Sequence, residues 1–410
     1  MPNDRLLLLA LATLLTTSGF GKPTCPEPPP GRPVAESQDL EKLTPEAIRE
    51  DLRQLYSTLK KAHFNLFARR SQVEYDRYFA ELRSGLRKPV TRLEAAKLLQ
   101  RFTAFGRVAH ANLFAPFELA IQARGMGARW LPLYVRIEKG RFFLSEHADE
   151  AGQLCSGSEL ISIAGKPMEY WSTRLGSLIS ADHDYLREAQ MERLFPALVW
   201  LELGEVAEAE VMVKDAKGQT ITAQVTALTR AGVTDLHQKR PTPKLAVDFG
   251  QRELRLLGAG MAYLRPGPFY NTKVKEGDTG LSYEDSDYRT FLDGAFRDIL
   301  AAKTTELIVD LRDNPGGDNG FSDPMVAWFA DRPFRFTHQF VLKASAASKD
   351  HYAQLRASGA KDEGVLGLLM RAEAAHKNGD HYPFVIPMVE PRSVRFTGRV
   401  FVLQNRRSFS

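Results

Sequence analysis

Two apolar runs in the last third of the chain each lead directly into a polar turn, and this pattern constrains the fold more than any other feature. The first run, Leu307–Leu311, continues through Arg312 and Asp313 into Asn-Pro-Gly-Gly at positions 314–317. A short apolar run rich in β-branched residues predicts a buried strand. Proline removes a backbone donor and adjacent glycines permit a close approach, so this turn can aim N–H groups at an oxyanion. A plain turn that ends a strand also explains these residues.

The second run, Val400–Leu403, predicts another buried strand and is followed by Gln-Asn-Arg-Arg-Ser-Phe-Ser at positions 404–410. A serine at a sharp turn after a strand stands clear of the sheet, where a substrate carbonyl can reach it. Serine is also a common helix cap, so its position alone does not identify a nucleophile.

Two carboxylates, Asp310 and Asp313, flank the end of the first run. They could form a catalytic pair of carboxylates. We expect instead that Asp310 pairs with Arg312 as a structural partner beside the turn.

The segments around these runs alternate between strand and helix patterns. We predict a strand at Gly260–Leu264, an amphipathic helix at Tyr288–Leu300 and a helix at Phe321–Phe329. Strands that alternate with helices indicate a layered α/β domain, which we place at residues 250–410.

The first half of the chain divides into a helical part and a β-rich part. Thr44-Pro45-Glu46 is typical of a helix start and Thr91 of a helix cap, so residues 44–130 are predicted to form a helical domain. Short alternating runs separated by turns at Lys139-Gly140 and Lys217-Gly218 predict a β-rich module at residues 131–229.

The N-terminus has the order of a secretory signal peptide. Arg5 precedes the apolar run Leu6–Leu15, and small residues follow it. We predict a signal peptide at residues 1–21, a proline-rich linker at 22–43, and export to the periplasm or the extracellular space. The apolar run is too short to span a bilayer, and the residues before Cys25 do not form a lipid-attachment motif.

Composition excludes several classes of function. The net charge of +5 arises from 55 basic and 50 acidic residues without a dense basic patch, so nucleic-acid binding is not expected. The two cysteines, Cys25 and Cys155, are too far apart for a zinc pattern, and neither lies in a catalytic elbow. We expect no disulfide, metal or cofactor.

Together the two strand–turn segments resemble the tail-specific, or C-terminal-processing, serine peptidases, in the branch similar to the core of tricorn protease. The resemblance continues upstream, because Gly260–Arg265 looks like the strand that opens the family's catalytic domain. Residues 158–167, Ser-Glu-Leu-Ile-Ser-Ile-Ala-Gly-Lys-Pro, look like part of its PDZ-like module. The resemblance implies a multidomain α+β and α/β protein: a helical N-terminal unit, a PDZ-like β-rich module and a crotonase-like α/β catalytic domain.

The resemblance also implies the residues of an active site. Ser410 would be the nucleophile, and the N–H groups of Gly316 and Gly317 would hold the oxyanion. His110, in Ala-His-Ala where the family usually has Gly-His-Thr, would be the general base. The family places further catalytic groups after the nucleophile, so we expect the 410-residue chain as given to be an inactive, incomplete catalytic domain.

Two other functions are compatible with the sequence. PDZ-like modules capture peptide C-termini by strand addition, so an inactive peptidase could remain a peptide-binding protein. A crotonase-like enzyme that acts on thioesters would use similar paired N–H groups, but the export signal and the lack of a nucleotide-binding signature argue against it. The partners expected in the peptidase interpretation are peptides or proteins recognised through their C-termini.

Overall fold

Side-chain caps fix the starts of the N-terminal helices; those at Thr44 and Thr91 are predicted from the sequence, and the cap at Ser71 is not. The computed structural model describes residues 42–242, 249–272, 284–359, 362 and 364–409. Ser71 and Thr91 each form a capping box with a glutamate three residues later. The helices are α1 (Pro45–Ala62), α2 (Gln72–Gly85), α3 (Arg92–Ala104) and α4 (Ala115–Gly125).

These helices bury an aromatic core. Tyr56 and Tyr75 stack with their ring centroids 5.7 Å apart, and the ring of Phe102 meets both edge-on. Tyr75 and Phe102 are completely buried. Aromatic pairs of this kind add about 0.5–1.5 kcal/mol each beyond area burial, so they stabilise the contact of α1, α2 and α3.

An antiparallel sheet follows, and its hairpin turns lie where the sequence predicts them. Its strands are β1 (Val135–Glu138), β2 (Arg141–Leu144), β3 (Glu159–Ile163), β4 (Lys166–Pro167), β5 (Glu208–Lys214) and β6 (Thr220–Thr226). The order is β1-β2-β3-β5-β6, with β4 paired to β3. Lys139 and Gly140 both adopt positive φ between β1 and β2, as a tight hairpin requires.

Two helices, α5 (Met168–Gly176) and α6 (Asp184–Leu203), are inserted between β4 and β5, and α7 (Arg230–Lys239) follows the sheet. The indole N–H of Trp171 on α5 donates to the carbonyl of Ile163 on β3 at 3.0 Å. Phe195 on α6 is completely buried in the same apolar core. The inserted helices therefore cover the sheet.

A second sheet contains the two predicted strand–turn segments. Its strands are β7 (Glu253–Gly258), β8 (Met261–Arg265), β9 (Glu306–Asp310) and β12 (Arg399–Leu403), in the order β12-β9-β8-β7. The pairs β8–β9 and β9–β12 are parallel, whereas β7–β8 is antiparallel. Helix α8 (Ser286–Ala301) connects β8 to β9, and α9 (Asn319–Val326) follows β9. The predicted α/β layer is confirmed.

The prediction that Val400–Leu403 is a buried strand is wrong. Phe401 and Val402 are 45% and 54% exposed, and only Val400 packs against the core of this sheet. The physical reason is position: among the described residues β12 is an edge strand that pairs on one side only, with β9.

An insertion between α9 and β12 has no counterpart in the sequence-based prediction. It consists of β10 (Phe340–Lys343), α10 (Ala346–Ala357), α11 (Gly364–Ala375) and β11 (His381–Phe384), with β10 and β11 paired antiparallel. The buried carboxylate of Glu373 accepts from the backbone N–H of Ser345 at 3.0 Å and from the hydroxyl of Tyr382 at 2.7 Å. The insertion thus has its own satisfied polar core.

The described chain forms two compact units. The first contains residues 42–60 and 65–242, and the second contains 61–64 and the described residues from 249 onward. The predicted helical domain and β-rich module both fall essentially within the first unit, and the predicted catalytic domain falls within the second. The predicted signal peptide, almost all of the linker, Cys25 and Ser410 lie outside the described residues. No described helix is both long and apolar enough to cross a membrane.

Candidate active site

The carboxyl ends of the parallel strands β9 and β12 bring the two polar turns side by side. We call residues 311–317 the glycine turn and residues 404–409 the serine turn. Leu403 pairs with Asp310 in the strand register, and the N–H of Leu311 donates to the carbonyl of Leu403 at 2.8 Å. Because parallel strands end at the same sheet edge, both turns begin at one place.

Hydrogen bonds join the two turns, and two of them involve the side-chain amide of Asn405. The side-chain oxygen of Asn405 accepts from the N–H of Asp313 at 3.1 Å, and its amide group donates to the Asp313 carboxylate at 2.8 Å. The N–H of Phe409 donates to the carbonyl of Asn314 at 2.9 Å. The turns therefore form one hydrogen-bonded unit, and Ser410, the predicted nucleophile, is the residue that follows Phe409 in the chain.

The hydroxyl of Ser408 belongs to the same network. It donates to the carbonyl of Leu311 at 2.7 Å and accepts from the N–H of Asn405 at 3.0 Å. A hydroxyl that both donates to and accepts from the backbone in this way holds a turn in place. Ser408 thus has a structural role within the serine turn.

Asn314 organises the inside of the glycine turn. Its buried side chain accepts from the N–H of Gly316 at 2.8 Å and donates to the carbonyl of Gly267 at 2.8 Å. The N–H of Gly316, one of the two predicted oxyanion donors, is therefore already bonded within the turn. Local side-chain–backbone bonds of this kind are typical of asparagine in turns.

Gly317 differs from Gly316 in the direction of its N–H group. The backbone of Phe269 bonds to both neighbours of Gly317, since its N–H donates to Gly316 at 3.1 Å and its carbonyl accepts from Asp318 at 2.8 Å. Alternate backbone groups point to opposite sides of an extended segment, so the N–H of Gly317 points away from Phe269. Among the described residues it donates to no acceptor.

The conformation of Gly317 requires glycine. Its φ is +145°, which residues with a side chain rarely adopt, and a Cβ there would overlap the carbonyl oxygen of Phe269. The close approach of these two backbones thus depends on the missing side chain.

Asp310 is the structural partner of Arg312, as the sequence predicts. The guanidinium group of Arg312 binds both carboxylate oxygens, at 2.9 and 2.7 Å, and the hydroxyl of Tyr263 donates to Asp310 at 2.6 Å. Burial favours the protonated acid, but the hydrogen bonds from Arg312 and Tyr263 outweigh it and lower the pKa of Asp310 to about 2. Asp310 is therefore ionised at neutral pH and does not serve as a general acid.

His110 lies in an exposed turn between α3 and α4 of the first unit. The backbone on either side of it is anchored. The side-chain amide of Asn112 donates to the carbonyl of Ala109 at 2.6 Å, and the hydroxyl of Ser180 donates to the carbonyl of Ala111 at 2.6 Å. The turn is thus fixed at its base while the imidazole is presented at the surface of the unit.

No protein-family model matches the sequence, and no curated protein matches it. Solved structures do match. Mature CPAF in complex with lactacystin is similar at a TM-score of 0.53 and 14% identity, over 88% of this chain and 80% of that one. Mature CPAF alone is similar at a TM-score of 0.52 and 14% identity, over 89% and 80% of the two chains.

The chain has a CPAF-like fold. The photosystem II D1 C-terminal processing protease also matches, at a TM-score of 0.37 and 13% identity, over 88% of this chain and 76% of that one. The predicted multidomain fold of helices and sheets is confirmed.

Within this fold, the chain also forms a side-chain network on β8 that the sequence did not predict, and the network reaches Asp310 at the end of β9. Two guanidinium nitrogens of Arg265 donate to the hydroxyl of Tyr263, at 3.2 and 2.9 Å, and a third lies 3.5 Å from the carboxylate of Glu253. Tyr263 and Arg265 are two residues apart on β8, so their side chains share one face of the sheet. The two-residue spacing of Tyr263 and Arg265 is the only signal in the sequence for this network. It does not reveal that Asp310 on β9 is the partner of Tyr263.

A second titratable pair lies at the start of α9. Asp318 caps the helix by accepting from the N–H of Gly320 at 2.7 Å. Burial and the nearby charge of Asp318 raise the pKa of Asp323 to about 6. Sequence reasoning assigned no role to either carboxylate.

Proposed function

We propose that this protein is a serine-type peptidase that cleaves peptides or proteins through an acyl-enzyme. The observation that supports it most is the junction of the two turns, where Ser410 follows a serine turn bonded to the glycine turn. The glycine turn offers the N–H of Gly317, which no described residue uses. A nucleophile and an oxyanion donor at one sheet edge are the minimum that acyl transfer requires.

In this proposal the hydroxyl oxygen of Ser410 attacks the scissile carbonyl carbon while His110 takes the hydroxyl proton. The carbonyl oxygen becomes an oxyanion and accepts a hydrogen bond from Gly317. The bond between carbon and nitrogen then breaks, and His110 returns the proton to the leaving amine. Water hydrolyses the ester by the same steps.

The other elements of the proposal have different tasks. Gly316 fixes the glycine turn through its bond to Asn314 and does not donate to the oxyanion. Asp310 and Arg312 support the end of β9. The β-rich module would bind the C-terminus of the substrate in a PDZ-like manner, and the N-terminal signal peptide would export the enzyme to the periplasm or beyond.

The role of His110 can be tested by substitution. The test uses a form of the protein that includes the catalytic groups expected after Ser410, here called the full-length protein. In it, His110→Ala is expected to lower kcat/KM for a peptide substrate by about 10²–10⁴-fold, because the serine loses its proton acceptor. The exposed position of the side chain leaves the fold intact, so circular dichroism and the melting temperature are expected to match those of the wild type.

His338→Ala is the matched control, since His338 is another exposed histidine and no role is assigned to it. It is expected to retain normal turnover. A folded His110→Ala variant with kcat/KM close to that of His338→Ala would show that a different group is the base.

A further inference from the structure

A cleft of about 320 Å³ lies within the first unit, beside the ends of α3 and α5. Four arginines and several hydroxyl groups line it, and its lining contains no aspartate or glutamate. We call it the arginine cleft. The residues that matter here are Arg70, Arg101, Arg107, Arg187, Tyr78 and Ser172.

One carboxylate beside the cleft, Asp184, is shared between two of its arginines. Asp184 pairs with both Arg107, at 2.7 Å, and Arg187, at 3.3 Å. Asp182, next to a lining residue, pairs with Arg69 at 3.6 Å. One carboxylate thus serves two of the lining guanidinium groups.

A second carboxylate, Glu202, is also shared between two arginines, and one of them, Arg101, lines the cleft. Glu202 bonds to Arg101 and also to Arg174, at 2.8 Å. Burial and then the charge of Arg174 lower the pKa of Arg101, although Glu202 opposes this. Arg70 alone has a carboxylate to itself, Glu74 at 3.0 Å. The cleft therefore retains an excess of positive charge after its internal ion pairs are counted.

Several donors around the cleft are unused among the described residues. The Nε of Arg70 is buried and has no hydrogen-bond partner. The hydroxyl groups of Tyr78 and Ser172 also have none within the described chain. A buried donor without an acceptor is costly, so an acceptor that a ligand supplies to the Nε of Arg70 would be stabilised here, and the half-buried hydroxyl groups of Tyr78 and Ser172 could donate to the same ligand.

We propose that the arginine cleft binds an oxyanion, either a carboxylate or a phosphate, carried by a small ligand. Guanidinium groups bind both anions in a bidentate manner. Phe105 and Ile179 also line the cleft, so the body of the ligand is partly apolar. The volume lies at the lower end of the range for small-molecule sites, which favours a small ligand.

The test uses calorimetric titration of the full chain with three probes. Inorganic phosphate supplies one anion, and acetyl-triglutamate amide supplies carboxylates on a peptide. Sodium chloride at equal ionic strength measures non-specific screening. We expect saturable binding of phosphate, of the peptide, or of both, and none of chloride.

Arg187→Gln is expected to weaken that binding by about tenfold, since it removes one charge-assisted donor. The matched control is Arg53→Gln on α1, because Arg53 also forms an exposed ion pair three residues apart, with Glu50. Exposed pairs contribute little to stability, so both variants are expected to fold. Tyr78→Phe keeps the ring and removes an unused hydroxyl, and it is expected to weaken binding independently.

Binding of only one probe would identify the anion and support the proposal. Absence of saturable binding to both probes would overturn it. Equal affinities of Arg187→Gln, Tyr78→Phe and Arg53→Gln for the bound probe would also overturn it, since binding would then occur elsewhere.

Discussion

In the proposed mechanism, Ser410→Ala in the full-length protein is expected to reduce peptide hydrolysis by about 10⁶-fold, the loss typical of removing the nucleophile of a serine peptidase. The variant has no hydroxyl to form the acyl-enzyme, and the alanine side chain fits wherever the serine fits. The measurement is kcat/KM for a peptide substrate with the wild type and the variant at equal concentrations of folded protein.

Ser408→Ala provides the matched control two residues away. Its hydroxyl bonds to the carbonyl of Leu311, so its loss is expected to cost about 1 kcal/mol of folding free energy. Turnover is expected to fall far less than in Ser410→Ala. If Ser408→Ala abolished hydrolysis while Ser410→Ala retained it, the assignment of the nucleophile would be wrong.

Gly317→Ala is expected to be the most damaging small substitution in the glycine turn. The added Cβ would overlap the carbonyl oxygen of Phe269, and φ of +145° is strained for alanine. Strain and overpacking each cost about 1–3 kcal/mol, so the free energy of unfolding is expected to fall by about 2–6 kcal/mol. Displacement of the N–H would lower kcat by about 10²–10³-fold if it is an oxyanion donor.

Gly294→Ala separates this effect from a general effect of replacing glycine. Gly294 lies within α8 of the same unit, and a Cβ there meets no atom within 4 Å. The substitution is expected to stabilise the helix by about 0.5–1 kcal/mol and leave kcat unchanged. A Gly317→Ala variant with the stability and kcat of Gly294→Ala would refute the role assigned to the glycine turn.

The sequence was sufficient to predict the two strand–turn segments and the alternation of strands with helices around them. The apolar runs that became β9 and β12 each lead into a turn, and parallel pairing placed those turns together. The caps at Thr44 and Thr91 and the hairpin at Lys139-Gly140 are local effects, so local residue types determine them.

Features that depend on tertiary contacts were not predictable. Whether Gly316 or Gly317 keeps a free N–H depends on the side chain of Asn314 and on Phe269, which is about fifty residues away in sequence. The exposure of Phe401 depends on what lies beside β12, and its apolar character gave the opposite expectation. The arginine cleft assembles residues from 70 to 187, so no local motif marks it.

The proposed function is tested most directly by identifying which residue of the full-length protein reacts with a serine-directed phosphonylating probe. After reaction, peptides would be identified by mass spectrometry. The account predicts one phosphonyl group per chain, attached to Ser410, and strongly reduced labelling in His110→Ala. Labelling of a different residue, or an unlabelled protein that is folded and still hydrolyses peptides, would contradict it.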